Sequence, residues 1–445
     1  ARDPGVVGFL VGRAPSAAGP WAQVATLWAA PSRFLHDLAP QGVPLWYRVR
    51  ALGLGLSAPP TQGAPSVAGP AQSHPPQDSA LPVFELAIDP ADIQLLDQMV
   101  LVDEEFEVPA VFTHEGRSQA VTVRYRGGGS LLASKKSWKI DFPDDALFEG
   151  RLKLNLKATF NDESLSIEPL AHELFEFVGH EVTHQRRVHL EVNGVYKGVF
   201  NDIEQVDERY LAARDRDPGG SLYKAGENAI FEVLPTLEDY QATYEKKTNE
   251  ATGYDDLIAL IELLNDPDAT ILQLADVFDV EAYLSYVSVV GWDADSDQLS
   301  RNFYLLHDLS LGRWEWVTWD NDRAMNFPEA PMDGGTSTCE VCGGLNHLKN
   351  FVLSDPGMRW RYSEKLKALM ASAASPPAMD AAIDAQHVEL LADAHADTAK
   401  WGWEPDSLFD PAPGALSDFV PAPNAYILSD LGSYQPPHPP TAIWI

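Results

Sequence analysis

The first 81 residues show two patterns of apolar and polar positions. Residues 1–57 contain three short strand-like runs, VVGFLVGR at 6–13, WAQVATL at 21–27 and PLWYRVRAL at 44–52. Short strands at a spacing of about 8 to 12 residues are typical of a small β-sandwich. Residues 58–81 are dominated by Pro, Ala, Ser and Gly, which predicts a semi-extended linker. We therefore expect a domain boundary in this segment.

From residue 82 onward the pattern predicts strands first and helices later. Asp89 and Pro90 are typical of the start of a short helix. Alternating runs then predict strands at 107–116, 119–126, 135–142 and 188–203. Asn193 and Gly194 sit between two such runs, which predicts a hairpin with a type I′ turn. Apolar residues recur at helical spacing in 254–266 and 271–290. The pattern as a whole predicts an α+β fold.

The segment WEWVTWDNDRAMNF, residues 314–327, alternates aromatic residues with polar ones and ends on two carboxylates, Asp320 and Asp322. It predicts a buried strand that delivers both acids to one end of the fold. Side chains two positions apart on an extended segment point the same way, so the pair suits a hard cation such as Mg²⁺ or Mn²⁺. Taken alone, such a pair is more often a solvated turn. The metal interpretation therefore depends on a phosphate-binding element elsewhere in the chain.

A glycine-rich loop between two predicted strands is a candidate for that element. It consists of Gly127, Gly128, Gly129 and Ser130. Backbone amides that no side chain obstructs can hold phosphate oxygens, although three glycines between strands are more often only a turn.

A lysine in the following strand strengthens the phosphate interpretation. Lys139 stands between two apolar residues in the run KKSWKIDF, and burying its ammonium is costly unless it meets an anion. Its strand position favours it over Lys136, but the pattern alone does not separate the two. Either Glu173 or Glu176, one turn apart on the next predicted helix, is a possible partner for this lysine.

Three alternating acids follow the longest predicted helical region. Asp293, Asp295 and Asp297 resemble the start of an EF-hand calcium loop, but the sixth position is Gln298 instead of Gly, and the twelfth is Tyr304 instead of Glu. An EF-hand is therefore excluded.

A different spacing in the same segment is more informative. Asp297 and Asn302 are separated by four residues just before a predicted strand. Protein kinases use this D-x4-N arrangement to place a proton-accepting Asp beside a metal-binding Asn. The strand pair that follows returns the chain to Asp320, which we expect to lie opposite Asn302.

Composition narrows the class of partner. The chain has 65 acidic and 32 basic residues and a formal net charge of −33, which argues against nucleic acid because phosphates would be repelled. No apolar run approaches the roughly 18 residues of a membrane helix.

The two cysteines, Cys339 and Cys342, have only His347 nearby, which is too few ligands for a zinc site. A local disulfide, a pair of thiols and a redox centre remain open for them.

Taken together, the motifs of residues 83–432 resemble the spore-coat protein H (CotH) family of atypical, secreted protein kinases. The matching pieces are RYRGGGSLLASKKSWKIDF, LKLNLKATFNDESL with the LAHELFEFVG helix, NGVYKGVFNDIEQVD, GSLYKA, YEKKTN, NFYLLHD and WVTWDND. The resemblance implies a two-lobed, protein-kinase-like fold over residues 82–432, with an N-lobe at about 82–205 and a C-lobe at about 206–432. Residues 433–445 are expected to form a C-terminal arm. Residues 1–57 resemble the later strands of a fibronectin type III domain, including Phe34–Asp37.

The resemblance also implies a nucleotide site. The loop Gly127–Ser130 would cover the phosphates of ATP and Lys139 would contact them. Glu204 would lie at the hinge between lobes, near the adenine.

The resemblance implies in the same way which residues bind the metal and which residue contacts the acceptor hydroxyl. Asp297 would be the catalytic Asp, Asn302 and Asp320 would bind Mg²⁺ or Mn²⁺, and Asp322 would be a further partner of the metal. Where the family usually has an Arg, this chain has Ile167 and Glu168. This departure leaves open the interpretation that the chain is a pseudokinase, with a kinase-like fold and no catalytic activity.

The expected function is therefore ATP- and metal-dependent phosphoryl transfer to Ser or Thr hydroxyls of secreted or cell-envelope proteins. The acidic surface favours basic, Ser-rich protein partners. One alternative is a nucleotide-dead scaffold or adhesin that binds partner proteins. Another is nucleotidyl transfer onto a side chain by the same site.

Overall fold

The computed structural model divides the chain into two compact units. Unit 1 consists of Ala1–Glu163, Gln185–Glu204 and Leu390–Asp410, and unit 2 of Ser164–His184, Gln205–Glu389 and Pro411–Ile445. The structure describes residues 6–16, 18, 20–28, 44–53, 61–62, 66–67, 75–76, 79–100, 102–295, 297–325, 346–401 and 412–420. The predicted strand at Phe34–Asp37 and the Cys339–Cys342 loop lie outside these residues, as does the arm at 433–445.

The N-terminal strands form an antiparallel sheet. They are β1 Val6–Ala14, β2 Ala22–Trp28, β3 Pro44–Gly53, β4 Thr61–Gln62 and β5 Ser66–Val67. The order is β2-β1-β3-β4, and β5 also pairs with β3. Two pieces of the predicted linker thus hydrogen-bond to β3, whose backbone would otherwise present an open edge. Three of the strands are those that the sequence predicts, and among the described residues they form one sheet.

The rest of unit 1 is built on a closed seven-stranded barrel. Its order is β10-β12-β11-β6-β7-β8-β9, closed by β9 pairing with β10. The strands are β6 Val83–Ile88, β7 Val108–His114, β8 Arg117–Arg126, β9 Ser137–Asp141, β10 Lys153–Lys157, β11 Gln185–Val192 and β12 Val195–Ile203. Alternate residues of each strand point inward, so that Phe84, Leu86 and Ile88 of β6 enter the core.

Local signals determine the turns of this barrel. The Asp89 side chain accepts a hydrogen bond from the Ala91 amide and caps α1, Pro90–Met99. Asn193 and Gly194 both have positive φ, 53° and 70°, as a type I′ turn requires. The Asn193 side chain also bonds the backbone of Ile88 in both directions. The turn between β11 and β12 is therefore tied to a neighbouring strand.

Unit 2 combines a four-stranded sheet with helices. The sheet order is β14-β13-β15-β16, with β13 Ser221–Ala225, β14 Tyr244–Lys246, β15 Phe303–Asp308 and β16 Arg313–Thr318. The helices are α2 Ile167–Phe177, α3 Glu208–Ala213, α4 Leu237–Thr243, α5 Asp255–Asn265, α6 Ile271–Val277, α7 Val280–Asp293, α8 His347–Ser354, α9 Pro356–Met370, α10 Pro376–Trp401 and α11 Ala412–Phe419. The C-terminal part of α10, from Leu390, belongs to unit 1.

Aromatic packing joins the sheet of unit 2 to α7. The Trp316 ring on β16 stacks on Phe303 of β15 at 3.9 Å between centroids and lies 4.9 Å from the ring of Tyr286 on α7. Offset stacking of this kind adds to the burial of apolar area. The loop between α7 and β15 therefore starts and ends on rigid elements. In the part of the chain that the structure describes, no helix combines the length and apolar character needed to cross a membrane.

Candidate functional site

The acidic loop of unit 2 begins where α7 ends. Asp293 is the last residue of α7, and Ala294 follows in the left-handed conformation, with φ of 56°. This reversal stops the helix and turns the chain toward β15. Asp293 is anchored there, because its carbonyl accepts a 2.6 Å hydrogen bond from the Met325 amide.

The hairpin of β15 and β16 brings two predicted metal ligands to one end of the sheet. Phe303 pairs with Thr318, so that Asn302 just before β15 and Asp320 just after β16 flank the last paired residues. Both have left-handed backbones, with φ of 59° and 63°. Residues other than Gly adopt this conformation at a cost, and it persists where the surrounding structure imposes it, often at functional sites.

The two acids of the WDND motif do not share an extended segment. β16 ends at Thr318, Asp320 is left-handed, and Asp322 begins a turn. The prediction that they point the same way on an extended strand is therefore wrong, because the backbone reverses between them. Both side chains are half-buried.

The side chain of Gln298 connects the loop between α7 and β15 to the backbone reversal at Asp320. Gln298 donates from Nε2 to the carbonyls of Trp319, at 2.8 Å, and Asp320, at 3.2 Å. Its Oε1 accepts from the hydroxyls of Thr318 and Tyr286. The residue whose presence excludes an EF-hand thus positions the backbone of Asp320.

A buried glutamate supports the same turn from α2. Glu168 is 1% exposed, and its Oε1 accepts a 3.1 Å hydrogen bond from the Asn321 amide. Its contact with the WDND turn could not be predicted from the sequence, because the two residues are 153 positions apart. Glu173, a predicted lysine partner on the same helix, accepts instead from Gln386 at 2.7 Å.

The predicted catalytic Asp has a cation partner within unit 2. Asp297 Oδ1 accepts from Nη2 of Arg301 at 2.8 Å, one helical turn later in sequence. Arg301 also pairs with Glu227. The Asp297 carboxylate is 16% exposed, so it stays accessible while its orientation is held.

Asp293 and Asp295 differ from Asp297 because both are fully buried. Each uses one oxygen for the next turn of the chain: Asp293 Oδ1 accepts from the Asp295 amide and Asp295 Oδ1 from the Asp297 amide, both at 3.0 Å. Burial raises the pKa of both carboxyls. Asp295 also faces the negative charges of Asp297 and Asp322.

In unit 1, the glycine loop is a short turn of helix between β8 and β9. Gly127 has φ of 120°, and Gly129–Leu132 form a 3₁₀ turn. The amides of Leu131 and Ala133 are bonded within the turn, to the carbonyls of Gly128 and Ser130. Gly127 and Gly128 are exposed.

Three lysines follow the loop, and they have different surroundings. Lys139 lies on the face of β9 opposite the core, with its Nζ 3.5 Å from Asp141. Lys136 donates to the Leu131 carbonyl in the 3₁₀ turn, and burial lowers its pKa to about 8, against the opposing charge of Asp97. The anion that Lys139 meets inside unit 1 is therefore Asp141, and the ammonium at the loop itself is that of Lys136.

The third lysine, Lys135, is the most buried, and no pattern in the sequence identifies it. Its Nζ lies 2.6 Å from Asp397 Oδ2 and 2.5 Å from the Val199 carbonyl. The same Asp397 oxygen accepts from the Val199 amide at 2.7 Å. Burial lowers the pKa of Lys135, and Asp397 opposes this effect. No local pattern could have found this pair, because its members are 262 residues apart.

Glu204, the predicted hinge residue, immediately follows β12 and is the last residue of its segment of unit 1, before Gln205 of unit 2. It is half-buried. Among the described residues, no group of three or more His, Cys, Asp or Glu side chains is placed to hold a metal ion by itself. The candidate residues thus fall into two sets that are described separately: the acids of unit 2, and the loop and lysines of unit 1.

Comparison with known proteins covers the segment that carries these motifs. Residues 123–427 match the family of the CotH kinase protein, a span that contains the glycine loop, the lysines, the acidic loop and the WDND turn. The chain is 26% identical over 305 residues to the inner spore coat protein H of Bacillus subtilis (strain 168), covering 66% of this chain and 82% of that protein. The chain belongs to the CotH kinase protein family.

Proposed function

We propose that this chain transfers the γ-phosphoryl group of ATP to Ser or Thr hydroxyls of protein substrates, with Mg²⁺ or Mn²⁺, in a two-lobed kinase-like fold. The observation that carries the proposal is the end of the β15–β16 hairpin, where Asn302 and Asp320 both have left-handed backbones in a CotH family chain. Strained polar residues at the end of a rigid hairpin are typical of a pre-organised site.

The donor set fits a hard cation. Asn302, Asp320 and Asp322 offer only oxygen ligands, and Mg²⁺ commonly takes one or two protein carboxylates and completes its shell with water and phosphate. When bound, the cation neutralises charge on the phosphates. Gln298 and Glu168 fix the backbone on which Asp320 and Asp322 lie.

Asp297 is the residue that we propose orients the acceptor hydroxyl. Its contact with Arg301 holds the carboxylate in place, and phosphoryl transfer depends mainly on positioning and charge neutralisation. In unit 1 the loop Gly127–Ser130 would cover the phosphates, Lys139 or Lys136 would contact them, and Glu204 would lie near the adenine.

The surroundings of the substrate are also part of the proposal. The net charge of −33 favours basic acceptors over acidic ones. The relative in Bacillus subtilis is a spore coat protein, which supports secreted or cell-envelope proteins as the substrate class.

The test is to incubate the full chain with ATP, Mn²⁺ or Mg²⁺ and a basic Ser-rich peptide, followed by mass spectrometry. The key variant is Asp320→Asn, because Asn tolerates the left-handed backbone and removes only the charge. We expect transfer to fall by at least about a hundredfold with an unchanged Tm. The matched control is Asp276→Asn, an exposed acid of α6.

Two outcomes would count against this assignment. Wild-type labelling by Asp320→Asn would remove Asp320 from the site. A product heavier by a nucleoside monophosphate instead of a phosphate would identify nucleotidyl transfer.

A nucleotide-dead scaffold is the second candidate function. The ion pairs Asp297–Arg301 and Lys139–Asp141 favour it, because these two proposed functional charges already have a partner within their own unit. The scaffold function is supported if Mg·ATP leaves the Tm unchanged and no labelled product forms.

A further inference from the structure

The connection between β8 and β9 carries the glycine-rich loop, and its end contacts α10. Arg126 and Ser137 are the last paired residues of the two strands, so that residues 127–136 lie outside the ladder. Leu131 is 2% exposed and belongs to the apolar core of the barrel. Near the other end of the connection, Lys135 reaches α10. The loop is thus anchored at a point inside the barrel core and at a point on a helix.

The barrel is shaped to receive this face of α10. Gly198 on β12 has φ of 104°, and a Cβ there would lie 2.2 Å from Oδ2 of Asp397 and 3.0 Å from Nε1 of Trp401. The absence of a side chain at Gly198 therefore lets the helix approach the strand. At this contact Asp397 Oδ2 accepts from the Val199 amide, at 2.7 Å, and from Lys135 Nζ, at 2.6 Å. One carboxylate oxygen thus joins the helix, β12 and the loop connection.

Lys135 is placed to fix the loop and is not placed to bind phosphate. It is 3% exposed, and its Nζ also donates to the Val199 carbonyl. Burying an ammonium is costly without a counter-charge, so the side chain is confined to the position where Asp397 meets it. The next residue, Lys136, donates to the Leu131 carbonyl of the loop. A displacement of Lys135 therefore also displaces Lys136 and the turn that it holds.

We propose that the C-terminal turns of α10 are a positioning element for the glycine-rich loop, and that Lys135 and Asp397 hold residues 127–136 in the conformation that binds phosphate. The inference rests on the proposed function for the loop's ligand, the phosphates of ATP, whereas the tether itself requires no nucleotide. Both residues act through the loop and not by contact with the ligand. The tether favours binding because a loop that is already ordered loses less conformational entropy when the ligand arrives.

The competing explanation is an ion pair that only stabilises the barrel. The same helix face offers a control, because Asp393, one turn before Asp397, is bonded to His189 of β11 at 2.6 Å. Both acids are buried, and Asp393 meets a strand instead of the loop connection. If the pairs contribute only stability, Asp393→Asn and Asp397→Asn have the same effect on the loop.

The experiment measures hydrogen–deuterium exchange of the full chain without nucleotide, and the Kd of a nonhydrolysable ATP analogue with Mg²⁺ by calorimetry. In Asp397→Asn we expect peptides covering residues 127–136 to exchange at least about tenfold faster, and the analogue to bind at least about tenfold more weakly. In Asp393→Asn both quantities should remain at their wild-type values. The double variant Lys135→Met/Asp397→Asn lacks the tether without leaving a buried unpaired ammonium, and it should keep the fast exchange and the weak binding.

A further measurement needs no variant. Coupling between two sites is reciprocal, so the analogue bound to wild type should slow the exchange of residues 393–401 together with that of the loop. A helix whose exchange stays the same while that of the loop slows would overturn the inference, also where a variant does not fold.

Two results with the variants would overturn it as well. One is a folded double variant in which residues 127–136 exchange as slowly as in wild type. The other is an equal acceleration of the loop in Asp393→Asn and Asp397→Asn, because the effect is then one of stability. Wild type that does not bind the analogue refutes the proposed function, and the exchange measured without nucleotide still decides the tether. Binding by wild type with unchanged loop exchange in the double variant refutes only the tether.

Discussion

At the scale of single residues, the loops of both candidate sets contain unusual backbone conformations. Asn302 and Asp320 accept left-handed backbones although they carry side chains, and Gly127 adopts a conformation that a side chain would not tolerate. A Cβ at Gly127 would lie 1.9 Å from Oγ of Ser130. The first two positions carry polar side chains, and the third has no room for a side chain.

Gly127→Ala tests this constraint. We expect it to destabilise unit 1 by at least about 1 kcal/mol from the positive φ alone, with a further cost from the clash with Ser130. Urea unfolding of a double-mutant cycle separates the two causes, because Ser130→Ala removes the clashing oxygen and leaves φ unchanged. Strict additivity of the two substitutions would show that the close approach to Ser130 is not real.

At the scale of elements, the local signals of the sequence were sufficient for most strands and helix ends. Asp89 caps α1, and Asn193–Gly194 forms the turn between β11 and β12, because capping and turn chemistry act within a few residues. The contacts that complete the site were not accessible in this way. Glu168 reaches Asn321 across 153 residues, and the left-handed Asp320 results from tertiary bonds such as those of Gln298.

The packing of α2 against α7 carries a pH-dependent contribution to stability. His180, just beyond the end of α2, is fully buried against the rings of Phe175 and Tyr286. Desolvation lowers its pKa from 6.5 to about 4, although a backbone hydrogen bond with Ala282 of α7 partly opposes this. The folded state therefore holds the neutral imidazole, and the unfolded state takes up a proton first as the pH falls.

We expect this histidine to destabilise unit 2 progressively as the pH falls from about 6.5 to about 4, by roughly 3 kcal/mol in total. Below the folded pKa both states are protonated, and the contribution levels off. The measurement is the free energy of unfolding from urea titrations across this range, for wild type and His180→Gln. If the free energy of unfolding of His180→Gln depends on pH as steeply as that of wild type, His180 is not the titrating group, because the other titratable groups contribute equally to both proteins.

At the scale of the whole molecule, the sequence predicted an α+β chain of the CotH family but not how unit 1 is completed. The C-terminal part of α10 belongs to unit 1. It presents Asp393 to His189 at 2.6 Å and Asp397 to Lys135, and the Trp401 indole donates to the Lys197 carbonyl at 2.8 Å. The spacing of these three residues by four places them on one helix face, yet nothing in their sequence identifies the partner surface.

The Lys135–Asp397 pair provides the test at this scale. Asp397→Asn leaves an ammonium buried without its counter-charge, and we expect a loss of about 3–5 kcal/mol of stability. Lys135→Met in the same chain should restore most of it, because the remaining Asn can still accept from the Val199 amide. Calorimetric or urea unfolding of the four proteins gives the coupling energy. A double variant as unstable as the sum of the single ones would exclude a direct ion pair.

The barrel's dependence on α10 also affects how the chain is synthesised. A ribosome releases the N-terminus first, and domains commonly fold as they emerge. The strands of the barrel are synthesised before the acids that pair with them. Asp397 follows Lys135 by 262 residues, and Asp393 follows His189 by 204 residues. Until then the barrel lacks the acidic partners of these two basic groups. The contacts that complete it form only after residues 393–397 have been synthesised.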